Sequence, residues 1–242
     1  MSGIYNSTNR YGTIQYNKRK QIDCNNLARR WSISRDKAIA TVKNTTHRGV
    51  ISVLHPTLSR RYPTNDKMLR YKGMSHPVFS DTLQAGTKSA CGNIYGQDFF
   101  ARFGWSKCHP MKKKSESHET LSMVFKRDGF PPCMIVDNSK EQSLGGFRRK
   151  CREAGCHLIN SEPYLPCQIS DEGCIKDLKK ASSRKLISTG SPKVLWDHCI
   201  KLMTLTRLHT AHTAYELQGE VHETIMTRQT ADISNICEYD WY

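Results

Sequence analysis

The feature that most constrains this chain is an order of patterns. From Pro77 onward, three strand-like runs come first, and helical and strand-like runs then alternate. Val78–Leu83, Ile94–Phe100 and Trp105–Met111 are rich in β-branched and aromatic residues, with turn signals at Cys91-Gly92-Asn93 and Arg102-Phe103-Gly104 between them. A helix is expected from Ser115, with Leu121, Val124 and Phe125 on its apolar face and a stop at Gly129 before Pro131-Pro132. Cys133–Val136 reads as a short buried strand. A helix over 143–154 follows, with Leu144, Phe147, Cys151 and Ala154 inward and Gly155 at its end; Cys156–Ile159 is a fifth strand. A proline-containing loop, Glu162 to Pro166, leads to a helix from about Asp171 to Ile187 with Ile175, Leu178 and Leu186 as inner positions.

Three hairpin-linked strands followed by strand–helix alternation give a mixed five-stranded sheet flanked by helices. The fold class is therefore α/β, in the strand and helix order of the ribonuclease H-like fold, preceded by a small basic helical segment. Residues 1–22 read as a basic flexible arm. Residues 23–54 form the helical segment, with Leu27, Trp31, Ile33, Ala38, Ile39 and Val42 at apolar positions and Ser34 capping the second of two short helices. Its run Asn26-Leu-Ala-Arg-Arg-Trp-Ser-Ile-Ser-Arg-Asp-Lys-Ala38 resembles a helix-turn-helix, with Arg29 and Arg30 facing out as DNA contacts; a plain helical hairpin serving as spacer fits the same pattern. Residues 55–76, broken by Pro56 and Pro63, read as a basic linker. The core spans 77–206 and a C-terminal extension 207–242.

Charge narrows the partners. The formal charge is +15 over 242 residues, and residues 1–76 hold 15 Lys and Arg against 3 Asp and Glu. A front-loaded cationic surface is an electrostatic footprint for phosphates, or else a solvated tail. The ten cysteines do not suggest a disulfide scaffold, because nothing resembles a signal peptide and Cys133, Cys151 and Cys199 fall at apolar periodic positions. That usage fits a reducing, intracellular compartment. No apolar run nears the ~20 residues of a membrane span, so no membrane partner is expected. No small-molecule substrate is expected either.

Within this frame three carboxylates stand out. Asp81 follows the run Val78-Phe79-Ser80, Asp137 closes Cys133–Val136, and Glu172 lies thirty-five positions later, near a helix start. Carboxylates held at strand ends and on a helix can converge on divalent cations, and paired metals clamp the attacking and leaving oxygens of a phosphodiester. Each acid also has a structural reading: Asp81 and Asp137 as turn or cap residues, and Glu172 as a first-turn charge offsetting the helix dipole or pairing with Lys176. Asp98 and Asp171 are rival acids, read as a turn-side structural residue and a helix cap. After Glu172, Lys176, Lys179, Lys180, Arg184 and Lys185 crowd one side of the same helix. Such a stripe holds a DNA backbone without reading sequence, or is a solvated face. Cys108-His109 and Cys151/Cys156/His157 read as structural. Trp105 and Trp196 read as core aromatics, and His209 and His212 are assigned to a polar helix.

The sequence resembles the integrase of copia-type retrotransposons, including the divergent branch of algal and protist genomes. The matching segments are Phe79-Ser-Asp81-Thr, Gly92-Asn-Ile-Tyr95, Pro110-Met-Lys-Lys-Lys-Ser-Glu116, Met134-Ile-Val-Asp137-Asn-Ser-Lys-Glu141, Glu162-Pro-Tyr-Leu-Pro166 and Leu195-Trp196, in family order over about residues 78–200. The resemblance implies a catalytic core with a D,D,E triad in which Asp81, Asp137 and Glu172 are both metal ligands and catalytic residues. It implies magnesium, with manganese as a substitute, and exposure of 3′-hydroxyls that attack target DNA in line without a covalent enzyme intermediate. It implies a homo-multimer on two DNA ends and a nuclear setting.

The sequence also departs from the family. Ile169 stands where the family has Asn, Ser139 and Lys140 replace the Gly-Gly before Glu141, and no His-His-Cys-Cys zinc module or Cys-x-x-Cys is present. The chain is read as a polyprotein fragment with a truncated C-terminal extension. Two rival expectations follow: a catalytically inactive DNA-binding remnant, and a ribonuclease H-like nuclease that hydrolyses without joining.

Overall fold

A computed structural model describes residues 8–9, 12–13, 22–45, 73–101, 104–137, 139–161, 166–212, 219–227 and 230–233, with the backbone course alone at 8–9, 12–13 and 166–172. Most of the expected arm (1–22), residues 46–54 of the helical segment, 55–72 of the linker and the loop 162–165 lie outside the described residues. Within the arm, β1 (Thr8–Asn9) and β2 (Gly12–Thr13) pair antiparallel.

The five-stranded sheet is β3 (Val78–Gln84), β4 (Tyr95–Ala101), β5 (Ser106–Met111), β6 (Cys133–Val136) and β7 (His157–Asn160). Its spatial order is β5-β4-β3-β6-β7, with β3–β4 and β4–β5 antiparallel and β3–β6 and β6–β7 parallel. The α/β, ribonuclease H-like class expected from the pattern order is what the chain adopts. Three sequential strands joined by short turns must run antiparallel, whereas β6 and β7 are each reached through a helix and so run parallel.

Helices cover both faces. On one, α3 (Ser117–Arg127) and α5 (Gly145–Glu153) bring Leu121, Val124, Phe125, Phe147 and Cys151 against Val78, Phe99, Trp105, Met134 and Val136. On the other, α6 (Pro166–Ser188) and α7 (Trp196–His209) bring Leu178 and Ile200, with Ile175, Trp196 and Met203, against Leu83 and Cys108. Gly96 permits this second packing: a Cβ there would lie 3.1 Å from both Leu83 and the Cys108 sulfur. A buried ion pair, Lys107 Nζ to Asp128, fastens β5 to the end of α3.

The N-terminal hairpin forms as its caps dictate. α1 (Cys24–Trp31) begins where Asp23 accepts from the Asn25 amide at 3.0 Å, and α2 (Arg35–Asn44) where Ser34 accepts from Lys37 at 3.3 Å. Leu27, Trp31 and Ala38 pack around Ile233, a residue more than 190 positions later. The Ala211 amide donates to Thr41 Oγ1 at 2.9 Å, and Asn44 Nδ2 donates to the Gly219 carbonyl at 2.7 Å. The hairpin is thus built into the C-terminal segment.

Several expectations are corrected. The helix expected over 143–154 is two, α4 (Lys140–Ser143) and α5, broken at Leu144, which is extended and exposed rather than inward. Residues 73–76, placed in the linker, join the core: Met74 is buried and its amide donates to the Phe130 carbonyl at 2.8 Å. Ile39 is exposed. His209 is buried at the end of α7, and His212 lies beyond that helix. Cys151 and Cys199 are buried free thiols, whereas Cys133 is half-buried. Among the described residues no helix is long and apolar enough to cross a membrane.

α8 (His222–Thr227) starts with a buried histidine. Burial, then His212, Arg207 and Lys37, hold its pKa down at about 3. The unfolded chain takes up this proton near pH 6.5 and the folded chain does not, so stability falls as pH drops from about 6.5 toward 3. His222→Leu should retain about 2 kcal/mol of what the parent loses at this site between pH 7 and pH 5, read by urea denaturation at the two pH values.

Candidate nucleic-acid and metal site

Asp81 lies in the middle of β3, and side-chain alternation puts it on the same sheet face as Leu83, beneath α6 and α7. The parallel ladder between β3 and β6 pairs Val78 with Met134, Phe79 with Ile135 and Ser80 with Val136. Asp81 and Asp137 are the next residues on each strand. Neighbouring strands are about 4.8 Å apart, so the two carboxylate-bearing residues stand side by side at the carboxyl end of the central parallel pair, on one face. Asp81 is half-buried and Asp137 is exposed.

Buried polar side chains on the opposite face fix this level of the sheet. Gln97 is fully buried; its Nε2 donates to Ser80 Oγ at 2.7 Å and to the Asp81 carbonyl at 3.0 Å. Thr82 Oγ1 donates to Gln97 Oε1 at 3.0 Å and accepts from Gln142 Nε2 at 3.1 Å. Gln142 belongs to α4, the turn of helix just after Asp137. The segments that carry the two aspartates are therefore latched together by amides and hydroxyls that have no water to turn to.

α6 lies across the face that carries Asp81. An open groove of about 570 Å³ is lined by Asp81 from β3 and by Ile175, Lys176, Lys179, Lys180, Ser183, Arg184 and Ile187 from α6. These α6 positions recur at helical spacing and form one stripe. Glu172 is four residues before Lys176, so its position continues that stripe by one turn toward the helix start. Because α6 begins at Pro166, Asp171 and Glu172 lie in its second turn, and no acidic residue occupies the first. The cap and first-turn readings of these two acids therefore do not hold. Proline opens the helix because its fixed φ and missing N–H cost nothing at the first position.

The basic residues divide. Lys176, Lys179, Lys180 and Arg184 are exposed along the groove. Lys185 turns away and donates to the Arg30 carbonyl at 3.0 Å, tying α6 to α1. On α1, Arg29 is exposed with Nη2 3.4 Å from Asn26 Oδ1, and Arg30 is half-buried.

Asp98, the rival acid expected beside a turn, lies elsewhere. It is not a turn-side residue: it sits mid-strand in β4, 3% exposed, paired in register with Asp81 on one side and Cys108 on the other. No protein N–H or O–H donor reaches its carboxylate oxygens. Burial raises its pKa to about 7, and the Asp81 charge adds to the rise; the Cys108 thiol, Lys179 and Arg207 pull the other way. Alternation in β4 puts Asp98 on the Gly96 and Phe100 side, but what buries it is α6 and α7 closing over that side, which no local pattern shows.

No protein-family profile matches the chain, and no curated protein matches it by sequence. Among solved structures it is similar to the catalytic core domain of BIV integrase, at 13% identity over 62% of this chain and 93% of that one, with a TM-score of 0.48. It is similar to a chain of the simian T-cell lymphotropic virus intasome in complex with PP2A regulatory subunit B56 gamma, at 13% identity over 62% of this chain and 54% of that one, TM-score 0.48. It is also similar to the HTLV-2 integrase catalytic core domain in complex with magnesium, at 14% identity over 64% of this chain and 99% of that one, TM-score 0.47.

The latch beneath the aspartates makes a direct prediction. Gln97→Leu takes the donor from the buried Ser80 hydroxyl and the Asp81 carbonyl and should cost about 1–3 kcal/mol of stability, measured as a shift in the denaturant midpoint.

Proposed function

We propose that the chain is a copia-type retrotransposon integrase core that processes and joins DNA ends, with Asp81, Asp137 and Glu172 as its metal-binding and catalytic residues. The observation that carries this reading is the β3–β6 register, which leaves Asp81 and Asp137 adjacent on one face, with Asp81 lining the groove beneath the helix that also bears Glu172. Hard carboxylate oxygens at one level suit magnesium or manganese. When bound, two such ions supply Lewis-acid stabilisation of the attacking and leaving oxygens of an in-line phosphoryl transfer.

The chain's own side chains do the rest. Lys176, Lys179, Lys180 and Arg184 line a groove that opens onto Asp81, a cationic stripe suited to a phosphate backbone. These contacts set position rather than sequence preference. Asp98, its pKa raised to about 7, carries only part of a charge near neutral pH and so spares Asp81 a second full negative charge directly across the ladder. Arg29 extends the cationic surface onto the N-terminal hairpin, which we take as an accessory DNA contact. Lys185 serves this surface indirectly, by fixing the hairpin to α6. We assign the DNA-bound form as a homo-multimer acting in the nucleus.

The test is joining of a labelled DNA end into a plasmid with magnesium or manganese. Asp137→Asn should keep the fold and DNA affinity and abolish joining; joining that survives the change contradicts the assignment. If neither protein joins DNA while both bind it in a salt-sensitive way, the inactive-remnant reading takes its place.

A further inference from the structure

A second set of ligating side chains lies away from the aspartates, where the β3–β4 connection meets the start of α7. Cys91 Sγ is 3.4 Å from His198 Nε2, and His198 Nε2 is 3.9 Å from Asp197 Oδ1. One donor atom from each of the three lies within 4.8 Å of the others. Tetrahedral zinc, with bonds of about 2.3 Å to sulfur and 2.0–2.1 Å to nitrogen, keeps those two ligand atoms about 3.6 Å apart. The Cys91–His198 pair is already near that separation.

The surroundings are built rather than incidental. Gly92, at φ +86°, closes a tight turn in which its amide donates to the Ser89 carbonyl at 2.9 Å and the Asn93 amide donates to Ser89 Oγ at 2.9 Å. The Ala90 amide donates at 2.8 Å to the Val194 carbonyl in the one-turn helix before α7, which holds the turn against the ligands opposite. Asp197 is buried; its Oδ2 accepts from Asn93 Nδ2 at 2.8 Å and its Oδ1 accepts from the His198 amide at 2.9 Å. These hydrogen bonds aim the carboxylate as outer partners aim a metal ligand. Cys91 and His198 are exposed, so an ion can reach them without opening the fold.

We propose that Cys91, Asp197 and His198 bind one zinc ion, with water in the fourth position, pinning the β3–β4 connection to the start of α7. A thiolate and an imidazole select zinc over magnesium, so this site does not compete with the aspartate pair for its ions. Its consequence is mechanical. The residues just before this turn, Ala85 to Thr87, and Trp196 beside it, line the cleft shared with the second half of α6. A metal here steadies the support on which the basic helix rests.

The full chain, stripped of metal and held in excess magnesium, should take up one equivalent of zinc in competition with a chromophoric chelator. Cobalt in place of zinc should give a thiolate-to-metal charge-transfer band and tetrahedral ligand-field absorption. Cys91→Ser should remove the charge-transfer band, His198→Gln should weaken binding, and Asn93→Ala should lower affinity roughly 10–100-fold through the carboxylate it orients. Both exposed ligand variants should fold as the parent does by circular dichroism. A parent that takes up no zinc, or a charge-transfer band that persists unchanged in Cys91→Ser, would overturn the proposal.

Discussion

The site depends on one buried amide. Gln97 holds the backbone of Asp81, the hydroxyl of Ser80 and, through Thr82, the Gln142 side chain of the helix that follows Asp137. Two aspartates on neighbouring strands would repel and splay if only their own loops restrained them. Here the restraint sits on the opposite face of the sheet, where Gln97, Ser80 and Gln142 are buried and solvent competes little for the hydrogen bonds. The catalytic reading of Asp81 and Asp137 rests on that latch as much as on the carboxylates.

A second dependency runs through α6. Its inner residues, Leu178 and Leu186, are buried while the opposite stripe of lysines and Arg184 stays in water. One helix thus closes a core and presents a cationic rail beside Asp81. The rail is further fixed by Lys185, which spends its charge on the Arg30 carbonyl, and by packing on α7. Asp98 lies beneath this arrangement as a buried acid whose environment favours the neutral form. It moderates the negative charge at the point where the cationic rail and the aspartate pair meet.

Local signals made much of this legible in the sequence. Alternation and turn residues located all five strands, Ser34 announced its cap, and the inner positions of α6 followed from helical spacing. The residues that escaped were those set by long-range contacts. Nothing local distinguishes a buried Asp98 from a surface one, because its burial comes from α6 and α7 closing over β4. Ile233 packing into the α1–α2 hairpin joins chain segments far apart in sequence, so the hairpin read as a separate unit. The sequence pattern starts α6 late, near Asp171, because Pro166 fits a loop as well as the first position of a helix. Leu144 looked like a core residue because periodicity cannot see the break between α4 and α5. The Cys91–Asp197–His198 grouping lies beyond local patterns because Cys91 is over a hundred positions from Asp197 and His198.

The most direct measurement is the anomalous diffraction of manganese in crystals of the chain. The account predicts density bound by the Asp81 and Asp137 carboxylates with Glu172 completing the set from α6. Manganese absent from that position, or Glu172 turned away from the two aspartates, would contradict it.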